Sequence, residues 1–440
     1  MKLSQPYSGN STFDAELSIA GVKATELKAE FGTPLFVIDE DDFHQRAIAW
    51  RDSLIKHFGE SAGTVYYAGK SFLNKEVARW ILQSGIGIDV CSGGEMAVAT
   101  SVDFPAGRLE LHGNNKSESE IRSAIELGVG TIVMDSFHEI ERVARIAAEL
   151  GKIQKVYLRL TAGVEAHTHE FISTAHEDQK FGFSIASGAA WQAVEAARAC
   201  ASIALAGVHS HIGSQIFVSE GFEVAAARLI EFMAKYRDHF NAELPELDLG
   251  GGYGIAYLPG ESALDPDAVL ASISAVVKNE CKKHNLKLPK ISIEPGRHIV
   301  GPTTTTLYEV GTTKDVELDG GAIRRYISID GGMSDNIRPS LYGAEYTALL
   351  ANRISEAATV NSRIVGKHCE SGDIVIRQIQ LPGDIGPGDL LAVPATGAYG
   401  RSMASNYNHI PRPAVVAVKG GKARLITRRE SISDLLALDI

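Results

Sequence analysis

The chain has 440 residues and sets 43 Lys and Arg against 54 Asp and Glu, a formal charge of −11. An acidic protein repels phosphate backbones, which excludes a nucleic-acid binder and leaves any anion to individually placed Arg or Lys. With 45% hydrophobic and 22% charged residues, the composition is that of a globular protein of two or three domains. Four cysteines, Cys91, Cys200, Cys281 and Cys369, are too few and too far apart for a disulfide framework or a zinc site. No metal is expected, and a functional cysteine would act as a free thiol in a reducing compartment. The first 15 residues lack the apolar run of a secretory segment, and nowhere do 18 apolar residues run together. A cytoplasmic protein without membrane contact is the expectation.

Residues 1–39 hold one extended stretch, at 34–38, and precede the regular part of the chain. From residue 64 onward, short β-branched or apolar runs alternate with longer amphipathic ones, as in βα units around a parallel sheet. The predicted strands are 64–68, 86–90, 108–111, 131–134, 155–160, 205–209, 246–249 and 290–294. Helix-like stretches such as 75–83, 118–126, 138–149 and 222–239 lie between them. Eight repeats in about 230 residues fit a (β/α)8 barrel of the TIM type better than an open doubly wound sheet. After Pro295 the texture changes: predicted strands at 303–310, 325–329, 374–378 and 414–418 are separated by Gly, Pro and Asp turns. The predicted organisation is a barrel over residues 40–303 and a mainly antiparallel β domain built from residues 304–440 together with 1–39.

A barrel of this kind does its chemistry at the carboxyl ends of its strands. The first run ends in Ala68-Gly69-Lys70, the second in Asp89-Val90-Cys91-Ser92, and the third in His112-Gly113-Asn114-Asn115-Lys116. The sixth gives His209-Ser210-His211-Ile212-Gly213-Ser214, the seventh Asp248-Leu249-Gly250-Gly251-Gly252, and the eighth Glu294-Pro295-Gly296-Arg297. Three glycines in a row are, taken alone, a tight turn. After the seventh strand of a barrel, with Arg297 behind Gly296, they mark a place where bare N–H groups and a planar cation can take a phosphate. Lys70 can form a Schiff base with an aldehyde, Glu294 can hold a ring nitrogen protonated, and His211 or His209 can stack on the ring. Those roles together describe pyridoxal 5'-phosphate. The plainer alternatives are a snorkelling Lys70, an ion pair between Glu294 and Arg297, and hydrogen-bonded core histidines.

These segments resemble the diaminopimelate decarboxylases, members of the fold type III group that also includes ornithine and arginine decarboxylases. The resemblance spans nearly the whole chain. Besides the strand ends, it rests on Arg338-Pro339-Ser340-Leu341-Tyr342, Cys369-Glu370-Ser371-Gly372-Asp373 and Gly397-Ala398-Tyr399. The insert Gly163-Val164-Glu165-Ala166-His167-Thr168-His169, followed by Gln179-Lys180-Phe181-Gly182, is similar to the actinobacterial versions. Ser71 departs from the pattern, since the family more often has alanine there.

The resemblance implies a carboxy-lyase that converts meso-2,6-diaminopimelate to L-lysine and carbon dioxide. In it Lys70 carries the pyridoxal phosphate, Glu294 faces the ring nitrogen, and His211 stacks on the ring. Asp89, Ser214, Gly252, Gly296, Arg297 and Tyr399 complete the cofactor set, chiefly around the phosphate. Cys369 returns a proton to the carbon that lost its carboxylate. Arg297 and Arg338 clamp the distal carboxylate, Tyr342 and Tyr399 add to the substrate site, and Glu370 holds the distal ammonium. The family also implies a homodimer in which each Cys369 loop completes the partner's site. Two rivals remain: an ornithine- or arginine-type decarboxylase of the same fold, and a catalytically inactive barrel with a regulatory role. The second predicts loss of the lysine or the thiol, and both Lys70 and Cys369 stand.

Overall fold

The computed structural model describes residues 1–164 and 180–440. Glu165, His167, His169 and Gln179 of the insert lie outside the described residues. The chain divides into two compact units, one of Arg46–Gly254 with Ala263–Arg297, the other of Met1–Gln45, Ile255–Ser262 and His298–Ile440.

The first unit is a closed barrel of eight parallel strands: β1 (Ala62–Ala68), β2 (Gly87–Val90), β3 (Leu109–Leu111), β4 (Thr131–Met134), β5 (Gln154–Thr161), β6 (Ile203–His209), β7 (Glu246–Asp248) and β8 (Lys290–Ile293). Neighbours follow chain order, β8 pairs β1, and β4 pairs β5 through Ile132 and Val156, which closes the ring. Strands β2, β3 and β4 are buried along their whole length, so Asp89 of β2 and Glu110 of β3 are held inside the barrel among apolar neighbours. Most of the helices between them start at side-chain caps. Asn74 accepts from the Val77 N–H at 2.8 Å ahead of Lys75–Gln83, and Ser117 with Glu120 forms a reciprocal capping box on Glu118–Leu127. Each cap stops the chain a few residues after a strand end, so strand-end side chains fall on short, defined loops.

The second unit is a sheet centred on Thr304–Glu317, which pairs antiparallel with Leu35–Asp39, Leu390–Val393 and Ile323–Ile329. Two pairings are parallel, Leu35–Asp39 with Ala414–Lys419 and Ile323–Ile329 with Thr359–Val365, so the antiparallel character is dominant but not complete. The early stretch around Phe36 thus forms an inner strand, opposite Thr306 on one side and Val415 on the other. Sequence periodicity does not reveal Thr359–Val365, because Asn361 and Arg363 are half-buried and Ser362 is buried, which blurs the alternation. Among the described residues no helix is long and apolar enough to cross a membrane.

Candidate active site

In the barrel unit, Lys70 lies in a single 3-10 turn at the end of β1, exposed, with Ser71 Oγ donating to the Ala68 carbonyl at 2.7 Å beneath it. Its charge is felt at Asp89, Cys91, Glu95 and His211, which places it over the ends of β2 and β6. His211 accepts a bond from the Gly251 N–H at 3.2 Å through Nδ1, so the proton of its neutral form sits on Nε2. Burial, then the cations Lys70 and Arg159, hold its pKa well below the ordinary range and keep the ring uncharged. Arg297 donates to Ser214 Oγ at 2.9 Å, tying the loop after β8 to the loop after β6.

The glycines of these loops are required by close approach. A Cβ on Gly252, whose φ is +113°, would lie 2.3 Å from the Gly213 carbonyl, and one on Gly296 would lie 2.6 Å from Ala68 Cβ. Backbone therefore packs against backbone where the loops after β1, β6, β7 and β8 converge. Lys116, part of the motif after β3, has a different task. Its buried ammonium donates to the carbonyls of Gly113 and Val133, each at 2.7 Å, and pairs with Glu139 at 2.6 Å, which fixes the loop.

Below this rim is a buried polar cluster. Glu294 Oε1 lies 3.2 Å from His112 Nε2 and 3.0 Å from His209 Nε2. His112 Nε2 is also 3.6 Å from Glu110 Oε2 and 3.9 Å from Asp89 Oδ1. None of these contacts has hydrogen-bond geometry, so among the described residues both Glu110 oxygens, Glu294 Oε1 and the His209 nitrogens are buried without a directed partner. Burial opposes charge on His112, but Asp89, Glu294 and Glu110 outweigh it and hold the imidazolium well above the ordinary range. Burial likewise works against Glu294, and His112 and His209 reverse it, so this carboxylate stays ionised. Burial brings His209 down to about 4 despite Glu294, which assigns the positive charge to His112. Sequence reasoning placed His112 at a strand end but missed Glu110. The readable signal was an acid between Leu109 and Leu111 in an otherwise apolar run.

The β unit holds the remaining predicted residues. Cys369 is exposed, and its N–H donates to Asn408 Oδ1 at 3.0 Å. The loop around it is anchored by buried Asp373, which accepts from the Met333 N–H at 2.7 Å, the His368 N–H at 2.9 Å and His368 Nδ1 at 2.7 Å. The His368 ring stacks on Tyr407 with centroids 5.7 Å apart. Ser340 Oγ donates to the Gly372 carbonyl at 2.9 Å, joining the helical turn Arg338–Tyr342 to this loop. Glu370 and Tyr342 are exposed, while Arg338 is buried and not a surface ion-pair residue. Its guanidinium lies 4.6 Å from the Tyr257 ring centroid, donates to the Tyr346 hydroxyl, and has no carboxylate partner among the described residues. Tyr399 is half-buried, with its backbone in the left-handed region at φ +61°. A second thiol, Cys91, sits 3.7 Å from Asp89 in the barrel unit, but burial and then that carboxylate push its pKa well up.

The barrel groups fit pyridoxal phosphate. A buried ionised carboxylate lacking a directed partner suits a ring N–H, an amine stands on the first strand, and the glycine loops leave backbone bare beside Arg297 and Ser214. Residues 40–301 match the pyridoxal-binding domain of the pyridoxal-dependent decarboxylases. The diaminopimelate decarboxylase of Mycobacterium bovis is 54% identical over 426 residues, covering 96% of this chain and 94% of that protein. That of Bacillus subtilis is 44% identical over 427 residues, covering 96% and 95%. The solved diaminopimelate decarboxylase of M. jannaschii, in complex with L-lysine, superposes with a TM-score of 0.91 at 31% identity and covers 98% of each chain. Matched over nearly its whole length and with the barrel groups in place, the chain belongs to the diaminopimelate decarboxylases, within the pyridoxal-dependent decarboxylase family.

Proposed function

We propose that this enzyme decarboxylates meso-2,6-diaminopimelate to L-lysine, the last step of lysine biosynthesis, with pyridoxal 5'-phosphate as cofactor and in the cytoplasm. When bound, the cofactor supplies an aldehyde for the substrate amine and a ring that takes up the electrons left by the departing carboxylate. Lys70 would hold the aldehyde until the substrate amine replaces it. Glu294, ionised, would hold a proton at the ring nitrogen, and neutral His211 would lie against the ring face. Ser214, Gly252, Gly296, Arg297 and Tyr399 would take the phosphate, and Asp89 would steady the groups around Lys70. Cys369 Sγ would give its proton to the carbon that lost carbon dioxide.

The observation that carries the choice of substrate is Arg338. A buried guanidinium stacked on Tyr257 and left without an acid partner among the described residues calls for an anion from the ligand. Diaminopimelate brings a second carboxylate, and ornithine and lysine do not. Tyr342, Tyr399 and Arg297 would support Arg338, and Glu370 would take the distal ammonium. Exposure of Cys369 on its own unit supports a homodimer in which each loop completes the partner's site. Substrate comparison tests the assignment: meso-diaminopimelate should be turned over much faster than ornithine, and the reverse order would refute the roles of Arg338 and Glu370. Mixing Lys70→Ala with Cys369→Ala chains should restore part of the activity, and no recovery would refute the shared site.

A further inference from the structure

Glu110 has no part in the roles above, yet among the described residues both its carboxyl oxygens are buried in the barrel without a hydrogen bond. A carboxyl so placed is costly unless another group makes use of it. Its nearest cation is His112, whose Nε2 lies 3.6 Å from Glu110 Oε2 and 3.2 Å from Glu294 Oε1. One imidazole nitrogen therefore stands between two carboxyls, from β3 on one side and from the end of β8 on the other. His209 packs edge-on against the same ring at 4.9 Å and crowds the same Glu294 oxygen at 3.0 Å. Asp248 closes the group, with one oxygen each from Glu110, Asp248 and Glu294 lying within 4.8 Å of one another.

Three carboxyls this close in a dry site cannot all be charged. Burial, then Glu294 and Glu110, push Asp248 well up, so it stays protonated. Burial raises Glu110 to about 7 against the pull of His112, so it carries a partial charge near neutrality. The charges around Glu294 then include one cation, His112, and on the other side the carboxyls of Glu110 and Asp89, both raised by burial, so that His112 and Glu110 act with opposite sign on whatever proton Glu294 shares.

We propose that His112 and Glu110 are positioning residues that set, from opposite sides, how firmly Glu294 holds a proton on the cofactor's ring nitrogen. The proposal rests on the assignment of Glu294 to that nitrogen. Glu110→Gln removes an anion and should weaken the hold; His112→Gln removes a cation and should tighten it. A group that only fills space would not give shifts of opposite sign.

The test is nitrogen NMR on holoenzyme carrying pyridoxal phosphate labelled with 15N in the ring, at pH 8. The ring resonance should move toward neutral pyridine in Glu110→Gln and toward pyridinium in His112→Gln. In Glu110→Gln kcat should fall roughly tenfold with KM within about twofold. Resonances that stay in place in both variants, or move the same way, would overturn the proposal. If His112→Gln does not fold, Glu110→Gln decides alone, and an unmoved resonance is again fatal. Glu294→Gln separates the two levels: if it leaves the resonance unmoved, the assignment of Glu294 falls first.

Discussion

The groups of the barrel unit and those of the β unit are held in opposite ways. In the barrel, Asp89, Glu110, His112, His209, Asp248 and Glu294 are buried, and their protonation is decided by burial and by one another. In the β unit, Cys369, Glu370 and Tyr342 are exposed, and what is fixed is the backbone beneath them, through Asp373, Asn408 and Ser340. A group that keeps one charge state through a reaction gains from a dry, rigid setting. A group that gives up a proton and recovers it needs access, so it is better placed on an exposed loop that hydrogen bonds keep in position. Arg338 is the exception in the β unit: it is buried like the barrel groups, as suits a cation that must wait for one particular anion.

This contrast can be broken in order of expected effect. Lys70→Ala should lower turnover by on the order of a thousandfold or more, and borohydride reduction followed by peptide mapping should find the cofactor on Lys70 in the parent protein. Cys369→Ala should lower kcat by roughly 10²- to 10⁴-fold while cofactor binding, read by absorbance, survives; turnover near the parent's would move the donor role elsewhere. Arg338→Gln should lower kcat/KM for meso-diaminopimelate roughly 10²-fold and shrink the preference over ornithine, as read by competition kinetics. Asp373→Ala removes three bonds from the Cys369 loop and should cost about 2–3 kcal/mol of stability in denaturant titration, with a smaller loss of kcat than Cys369→Ala.

The smallest effect is expected at an ion pair of the β unit that takes no part in the proposed roles. Arg412 ion-pairs with Glu430, whose carboxyl is held down to about 2, burial opposing and Arg412 prevailing. A depressed acid stabilises the fold fully above its unfolded pKa, near 4.5, and loses that contribution as pH falls toward 2. Glu430→Gln should therefore cost about 1 kcal/mol or less at pH 7, with the difference shrinking as pH falls toward 2.

The strand ends were legible because a barrel demands short buried runs and a polar residue that closes such a run stands out. Lys70, His211, the glycine loop, Glu294 and Arg297 stand out in the sequence as candidates for that reason. The cluster around Glu110 was not, since neighbours across a closed barrel are far apart in sequence and only strand register brings β3, β6, β7 and β8 to one point. The anchoring role of Lys116 was hidden for a similar reason: a lysine at a strand end reads as functional until its three buried acceptors are seen. In the β unit the motif around Cys369 was visible, while Asn408, which is 39 residues away and holds the cysteine's N–H, was not.

The most direct test of the central claim is to measure carbon dioxide and L-lysine released from meso-diaminopimelate with pyridoxal phosphate supplied and withheld. The account predicts equimolar release of both products that depends on the cofactor. Release independent of pyridoxal phosphate, or none when it is supplied, would contradict it.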